Sequence, residues 1–269
     1  MSAPLPLASL PTPSAAAAGG EKWTTERVLA VRPWTESLWS FRISRPREFR
    51  FTPGNYGRVG LGPSPTETVW RPLSMVSEPA DEGLEFLLVR VAGGTFSDLG
   101  AKLLPGDEVR LEKASYGFLT VGQLAPGRDL WLLASGSGLG PFVSILRDPA
   151  AWQRFEHLVL VHSVREPGEL AYRDEIARRQ ATNHAGRLRY VPVVTRTAWA
   201  GALPARIPAL IEDGRLEAAA GLALDPAHSR IMVCGNPDLV KDLRARFGAK
   251  GYRTCRRSVP GQIAFEKYW

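Results

Sequence analysis

Two cysteines, Cys234 and Cys255, are all that 269 residues contain. They cannot build a four-thiolate iron–sulfur site within this chain. They make no disulfide framework either, so a reducing compartment, the cytoplasm, is the expected location. No apolar run approaches the roughly 20 residues that span a bilayer, so no membrane segment is expected. Lysine–aromatic clusters are few and no helix-turn-helix or finger pattern occurs, which argues against nucleic acid as a partner. Residues 1–20 carry no charge, and prolines interrupt their apolar content. They lack the basic start and unbroken core of a secretory signal and are expected to be a disordered tail.

The hydrophobic fraction of 44% and charged fraction of 23% are those of a globular protein with a core to bury. The length suits one large or two modest domains. A net charge of +7 points to acidic partners, whether an anionic cofactor or an acidic protein.

The chain is organised around residues 129–147, DLWLLASGSGLGPFVSILR. An apolar strand over 130–134 runs into a loop with Gly136, Gly138 and Gly140, and Pro141 then opens an apolar helix. Glycines allow a tight turn and close backbone approach, and the first N–H groups of the helix can hold an anion. Alone, the loop is as consistent with an ordinary strand-to-helix turn as with a phosphate cradle. A second apolar run over 156–163 ends just before Arg165. An arginine there accommodates a 2′-phosphate where an acid would take ribose hydroxyls, although Glu166 follows directly. Arg196 and Arg206 stand beyond or near later apolar runs, and three such arginines resemble an anion site more than separate solvated charges.

From Trp23 short strands alternate with Pro/Gly turns, over 27–32, 38–44, 56–61, 71–77, 84–91 and 108–112. That spacing predicts an antiparallel β-barrel or sandwich. Within it, 93–107 carries helical apolar spacing at Phe96, Leu99 and Leu103, opened by two glycines, Thr95 and Ser97, a second possible phosphate site. After Gly127 strands alternate with helices: strands 130–134, 157–163, 188–194 and 229–234, helices 141–147, 169–181, 206–213 and 237–249. That is an α/β doubly wound layout. The division is therefore a tail over 1–20, a barrel over 21–122 and an α/β domain over 123–269.

Five short motifs, in order, then resemble those of ferredoxin–NADP reductases. Arg71-Pro72-Leu73-Ser74 resembles their R-x-Y-S flavin motif, and Gly94-Thr95-Phe96-Ser97 their pyrophosphate stretch. Residues 135–141 resemble the T-G-T-x-x-G-P loop, Cys234-Gly235-Asn236-Pro237 the C-G-N-P motif, and Glu266-Lys267-Tyr268-Trp269 the E-x-Y-W terminus of the bacterial subclass. The resemblance implies an FAD-binding barrel followed by an NADP-binding α/β domain, with the active site in the cleft between them. It implies that Arg71 pairs with the FAD pyrophosphate, with Pro72 beside it, and that Ser74 sets a hydroxyl near the flavin. Leu87, Leu88 and Val89 would line the adenosine half, Thr95, Phe96 and Ser97 the pyrophosphate, and Ser137 the loop closing over the cofactors. Gly136, Gly138, Asn236 and Pro237 would meet NADP, with Arg165, Arg196 and Arg206 on its 2′-phosphate. Cys234, alone a small buried hydrophobe, and Glu266, alone a surface charge, would face the nicotinamide. Tyr268 would stack on the flavin and Trp269 cover the adenine. Leu73 departs from the pattern, replacing a tyrosine and so supplying no aromatic stacking on the flavin. The implied activity is exchange of hydride with NADPH and of single electrons with ferredoxin or flavodoxin, by a monomer. The reductase component of an oxygenase and a flavin-binding sensor without turnover stay open as alternatives.

Overall fold

The structure is a computed structural model, and it describes residues 22–182, 186–257 and 259–267. Six strands form an antiparallel sheet: β1 (Trp23–Pro33), β2 (Leu38–Ser44), β3 (Tyr56–Leu61), β4 (Val69–Ser74), β5 (Gly83–Val89) and β6 (Glu108–Tyr116). Their spatial order is β4-β3-β6-β1-β2-β5, and a bridge from Met75 to Phe86 brings the two edges together as a curled barrel. Alternating residues turn inward, as strand geometry requires, and Phe41, Ile43, Val59, Phe86, Val109 and Leu111 fill the interior. A short helix, α1 (Thr95–Gly100), plugs the barrel with Phe96. Strand β6 runs four residues past the expected end. A bulge after Gly57 lets β3 pair Tyr56 with Tyr116, a partnership that local alternation does not mark.

Five more strands form a parallel sheet: β7 (Asp129–Ser135), β8 (His157–Val164), β9 (Leu188–Val194), β10 (Ser229–Gly235) and β11 (Ile263–Lys267), in the order β11-β10-β7-β8-β9. Its central strands are mostly apolar because helices cover both faces. Helices α2 (Gly140–Arg147), α3 (Pro149–Arg154) and α4 (Arg173–Ala181) supply Phe142, Leu146, Trp152 and Ile176 to one face. Helices α5 (Ile207–Glu212), α6 (Arg215–Ala220) and α7 (Pro237–Ala249) supply Leu210, Leu216, Leu243 and Phe247 to the other. The expected helix over 169–181 starts later, at Arg173, because Glu166 and Glu169 cap a separate 3-10 turn over Pro167–Glu169. Helices α3 and α6 are additions to the expected layout, each too short to show a period, and β11 is the terminal strand that carries Glu266. Connectivity moves from β7 outward to β8 and β9, then returns to β10 beside β7. The crevice at the carboxyl ends of β7 and β10 is therefore the topological switch point, where doubly wound sheets bind ligands.

The two sheets are joined by a polar clamp. Arg147 donates to Glu175 at 2.9 and 2.7 Å, to the Val76 carbonyl at 3.0 Å and to Glu85 at 3.2 Å. Burial opposes the charge on Arg147, but Glu175 and Glu85 outweigh it and raise its pKa. Tyr172 Oη donates to Glu85 at 2.7 Å, and its ring lies against Trp34. Tyr172 is the one non-glycine residue with positive φ among the described residues, at 57°. That conformation costs roughly 1–2 kcal/mol in an L-residue, and the tertiary contacts offset it. Tyr172→Phe removes the bond to Glu85, which keeps Arg147, and the bond between the hydroxyl and Ser40. Urea unfolding should show a loss of about 1–2 kcal/mol, and an unchanged midpoint would make the hydroxyl idle.

Candidate active site

Two loops wall the switch-point crevice. Residues Gly136–Leu139 leave β7 as a 3-10 turn that continues into α2. The second loop, Cys234–Pro237, leaves β10, and Asn236 caps α7 by accepting the Leu239 N–H at 2.9 Å. The loops touch without slack. A Cβ on Gly138 would lie 2.5 Å from the Cys234 carbonyl oxygen, and one on Gly235 2.1 Å from Ser135 Oγ. Ser135 Oγ accepts from the Asn236 N–H at 3.1 Å and from its side-chain amide at 3.2 Å. The side chain of Asn236 therefore serves loop and cap, and Pro237 fills the first turn of α7.

Parallel register sets a row across the sheet at this edge: Glu266 beside Cys234, Cys234 beside Ala134, Ala134 beside His162. From the barrel, Ser74 Oγ donates to Glu266 Oε1 at 3.2 Å. Residues 192 positions apart thus meet across the domain boundary. Burial pushes the Glu266 carboxyl up to about 7, while the Ser74 bond pulls it the other way. Burial, then the neighbouring Glu266 charge, raises the Cys234 thiol well above its ordinary value, so it stays protonated and is no nucleophile. Ser74 pairs with Tyr56 across β3 and β4, and Tyr56 stacks on Tyr116 with centroids 5.8 Å apart. The Gly117 turn sets its Cα so that a Cβ would come 3.4 Å from Glu266 Oε2. Tyr56 and Tyr116 thus flank the Ser74–Glu266 pair. The motifs do not contain them, and the only sequence signal is the tyrosine at either end of a strand.

At the far side of the crevice the ends of β8 and β9 join: the Arg196 N–H donates to the Arg165 carbonyl at 3.0 Å. Both side chains are exposed, as is Arg206 ahead of α5. The carboxylate of Glu166, the acid that obscured the meaning of Arg165, accepts the Thr197 hydroxyl.

The residues of the expected flavin motifs differ in how far their side chains are exposed. Leu87 packs into the interface cluster, while Leu73, Leu88 and Phe96 pack into the barrel core. Their side chains are buried among protein side chains, and Val89 is half-buried. Leu73, 4% exposed, is drawn inward rather than laid open on the barrel lip. Ser97 Oγ accepts from the Val91 N–H at 3.1 Å and donates to the Gly94 carbonyl at 2.9 Å, closing its own turn. Arg71, Pro72 and Thr95 are exposed, and Ser137 is buried in the glycine turn. Tyr268 and Trp269 lie outside the described residues.

A curled antiparallel barrel joined to a doubly wound domain, with glycine loops at the switch point, is the architecture of a two-domain nucleotide-binding protein. Residues 132–245 match the family model described as the oxidoreductase NAD-binding domain. The chain is 37% identical to ferredoxin–NADP reductase A of Sorangium cellulosum, over 91% of this chain and 90% of that one. It is 38% identical to the flavodoxin/ferredoxin–NADP reductase of Escherichia coli, over 92% of this chain and 99% of that one. A ferredoxin NADP+ reductase from Neisseria gonorrhoeae, solved with bound FAD and NADP, superposes with a TM-score of 0.87 at 38% identity, covering 93% of this chain and all of that one. The chain belongs to the ferredoxin/flavodoxin–NADP reductase family.

Proposed function

We propose that this chain exchanges hydride with NADP(H) and single electrons with a ferredoxin or flavodoxin. It is an FAD-dependent NADP(H) oxidoreductase. FAD, when bound, supplies the two-electron to one-electron conversion; the protein supplies binding, orientation and proton control. The donor set suits these groups: a half-buried hydroxyl–carboxyl pair with two tyrosines at the barrel lip, exposed Arg71 and Thr95 for a pyrophosphate, and glycine loops with arginines beyond them.

Residue roles follow from position. Arg71 offers a planar fork to phosphate oxygens. Ser74 presents a hydroxyl whose orientation Glu266 controls. Glu266 holds a proton up to about neutral pH beside the Ser74 hydroxyl, which donates to its Oε1, so the pair keeps an exchangeable proton at the site. Cys234 gives the crevice a compact floor beneath the nicotinamide. Arg165 and Arg196, joined through their backbones, take the 2′-phosphate together with Arg206. Tyr268 and Trp269 complete the reading as covers for the flavin and adenine. Residues 21–122 then form the FAD domain and 123–269 the NADP domain, in a cytoplasmic monomer.

The observation that carries this function is the Ser74–Glu266 contact, which joins the two domains at the switch point. Anaerobic addition of NADPH should bleach the visible band of bound FAD, and added ferredoxin or flavodoxin should restore it. A band untouched by NADPH would leave only a binding protein, and a band no carrier restores would point to another acceptor. Arg165→Ala should raise the NADPH KM about tenfold and leave NADH nearly unaffected, the cost of one bond to a charged group. Equal effects on both nucleotides would remove Arg165 from the phosphate site.

A further inference from the structure

We propose that His162 is a positioning residue that aims the glycine loop at the NADP(H) pyrophosphate, a role that rests on the nucleotide site proposed above. His162 is fully buried at the end of β8, in the row that holds Ala134 and Cys234. Its Nε2 lies 3.1 Å from the Gly136 carbonyl oxygen, and its Nδ1 is buried with no partner among the described residues. A carbonyl only accepts, so Nε2 carries the proton and donates, and Nδ1 is left as a bare acceptor. An unpaired buried acceptor costs stability, so an apolar residue would serve the core better. The tie to Gly136 is what the histidine adds.

Gly136 has φ of 54°, a left-handed conformation that glycine enters freely and leaves as freely. The adjoining peptide can flip, and the histidine bond opposes that flip. In a trans peptide the C=O and N–H point in opposite directions. The Gly136 carbonyl points at the His162 ring, so the Ser137 N–H of the same peptide points away from it. As one of the first N–H groups of the helical turn, it has no partner within the turn. A flipped peptide would turn a carbonyl oxygen toward the anion instead. Burial lowers the His162 pKa to about 4, so the neutral donor form is kept across the working range of pH.

The test uses the FAD-loaded enzyme and two hydride donors: NADPH, and 1-benzyl-1,4-dihydronicotinamide, which has no phosphate. His162→Leu should raise the NADPH KM about tenfold, and His162→Gln, which can still donate to Gly136, should stay within about threefold of wild type. Reduction by the phosphate-free donor should not change in either variant, and neither should the thermal midpoint fall. His162→Met gives the same comparison with a more pliable side chain. A His162→Leu enzyme slowed alike with both donors, or matched by His162→Gln, would make the residue merely structural and overturn the proposal. Gly138→Ala separates the two levels of the argument. If it weakens NADPH use while His162→Leu does not, the histidine role falls and the loop site stands. If neither variant does, the loop site falls and takes the histidine role with it.

Discussion

Gly138→Ala should lower kcat/KM for NADPH by about a hundredfold while leaving FAD bound and its visible spectrum unchanged. The added methyl would sit 2.5 Å from the Cys234 carbonyl oxygen and 2.7 Å from its carbon. Both are backbone atoms of a central strand and cannot turn aside as a side chain would. Residues on either side of Gly138 are buried, so the glycine turn itself must lift away from β10. A displacement near 1 Å in a group that orients substrate costs on the order of 100-fold. The clash itself is with β10 and not with the barrel, so FAD retention shows whether the displacement stays on the nucleotide side. Steady-state kinetics with NADPH and the phosphate-free donor read the two effects apart. A variant with wild-type NADPH kinetics would show that the loop can shift without touching the nucleotide.

Glu266→Gln should stabilise the protein at about pH 8 and make little difference near pH 4. The Glu266 carboxyl moves from its ordinary 4.5 to about 7 in the fold, chiefly through burial. Between those values the unfolded chain gives up its proton while the folded one keeps it. Stability is therefore fully present below about 4.5, falls as pH rises through the window, and reaches its full loss above 7. At 1.36 kcal/mol per pKa unit, the cost at pH 8 is about 3 kcal/mol. Glutamine needs no proton to be neutral and still accepts from Ser74. Urea unfolding at the two pH values should thus show the variant gaining about 3 kcal/mol only at the higher one. Equal gains at both would mean that charge on Glu266 is not what the fold resists. The same substitution should flatten the pH dependence of turnover near neutrality, because the titrating carboxyl is gone.

Much of this protein is determined by its sequence alone, and for local reasons. Buried parallel strands are written as apolar runs such as 130–134, because both faces must be covered. The glycines at 136 and 138 and the Asn236-Pro237 pair are equally legible, since turns and caps depend on residues a few positions apart. The motifs that carry the family resemblance are of this kind. Tertiary structure decided the rest. The sequence placed Leu87, Leu88 and Phe96 in cofactor motifs, but which way each side chain faces depends on how the sheet curls, and all three turn into a core. Tyr56 and Tyr116 stack only because a bulge brings β3 and β6 into that register. The Arg147 clamp joins residues from three separate regions of the chain. Glu266 in sequence is an ordinary acid beside a lysine. Its raised pKa is a property of the surface that covers it, and that surface exists only once β11 has docked beside β10 and brought the carboxyl to Ser74. Spacing along a chain encodes what neighbours can do to one another; burial and charge coupling are set by residues that meet only in the folded molecule.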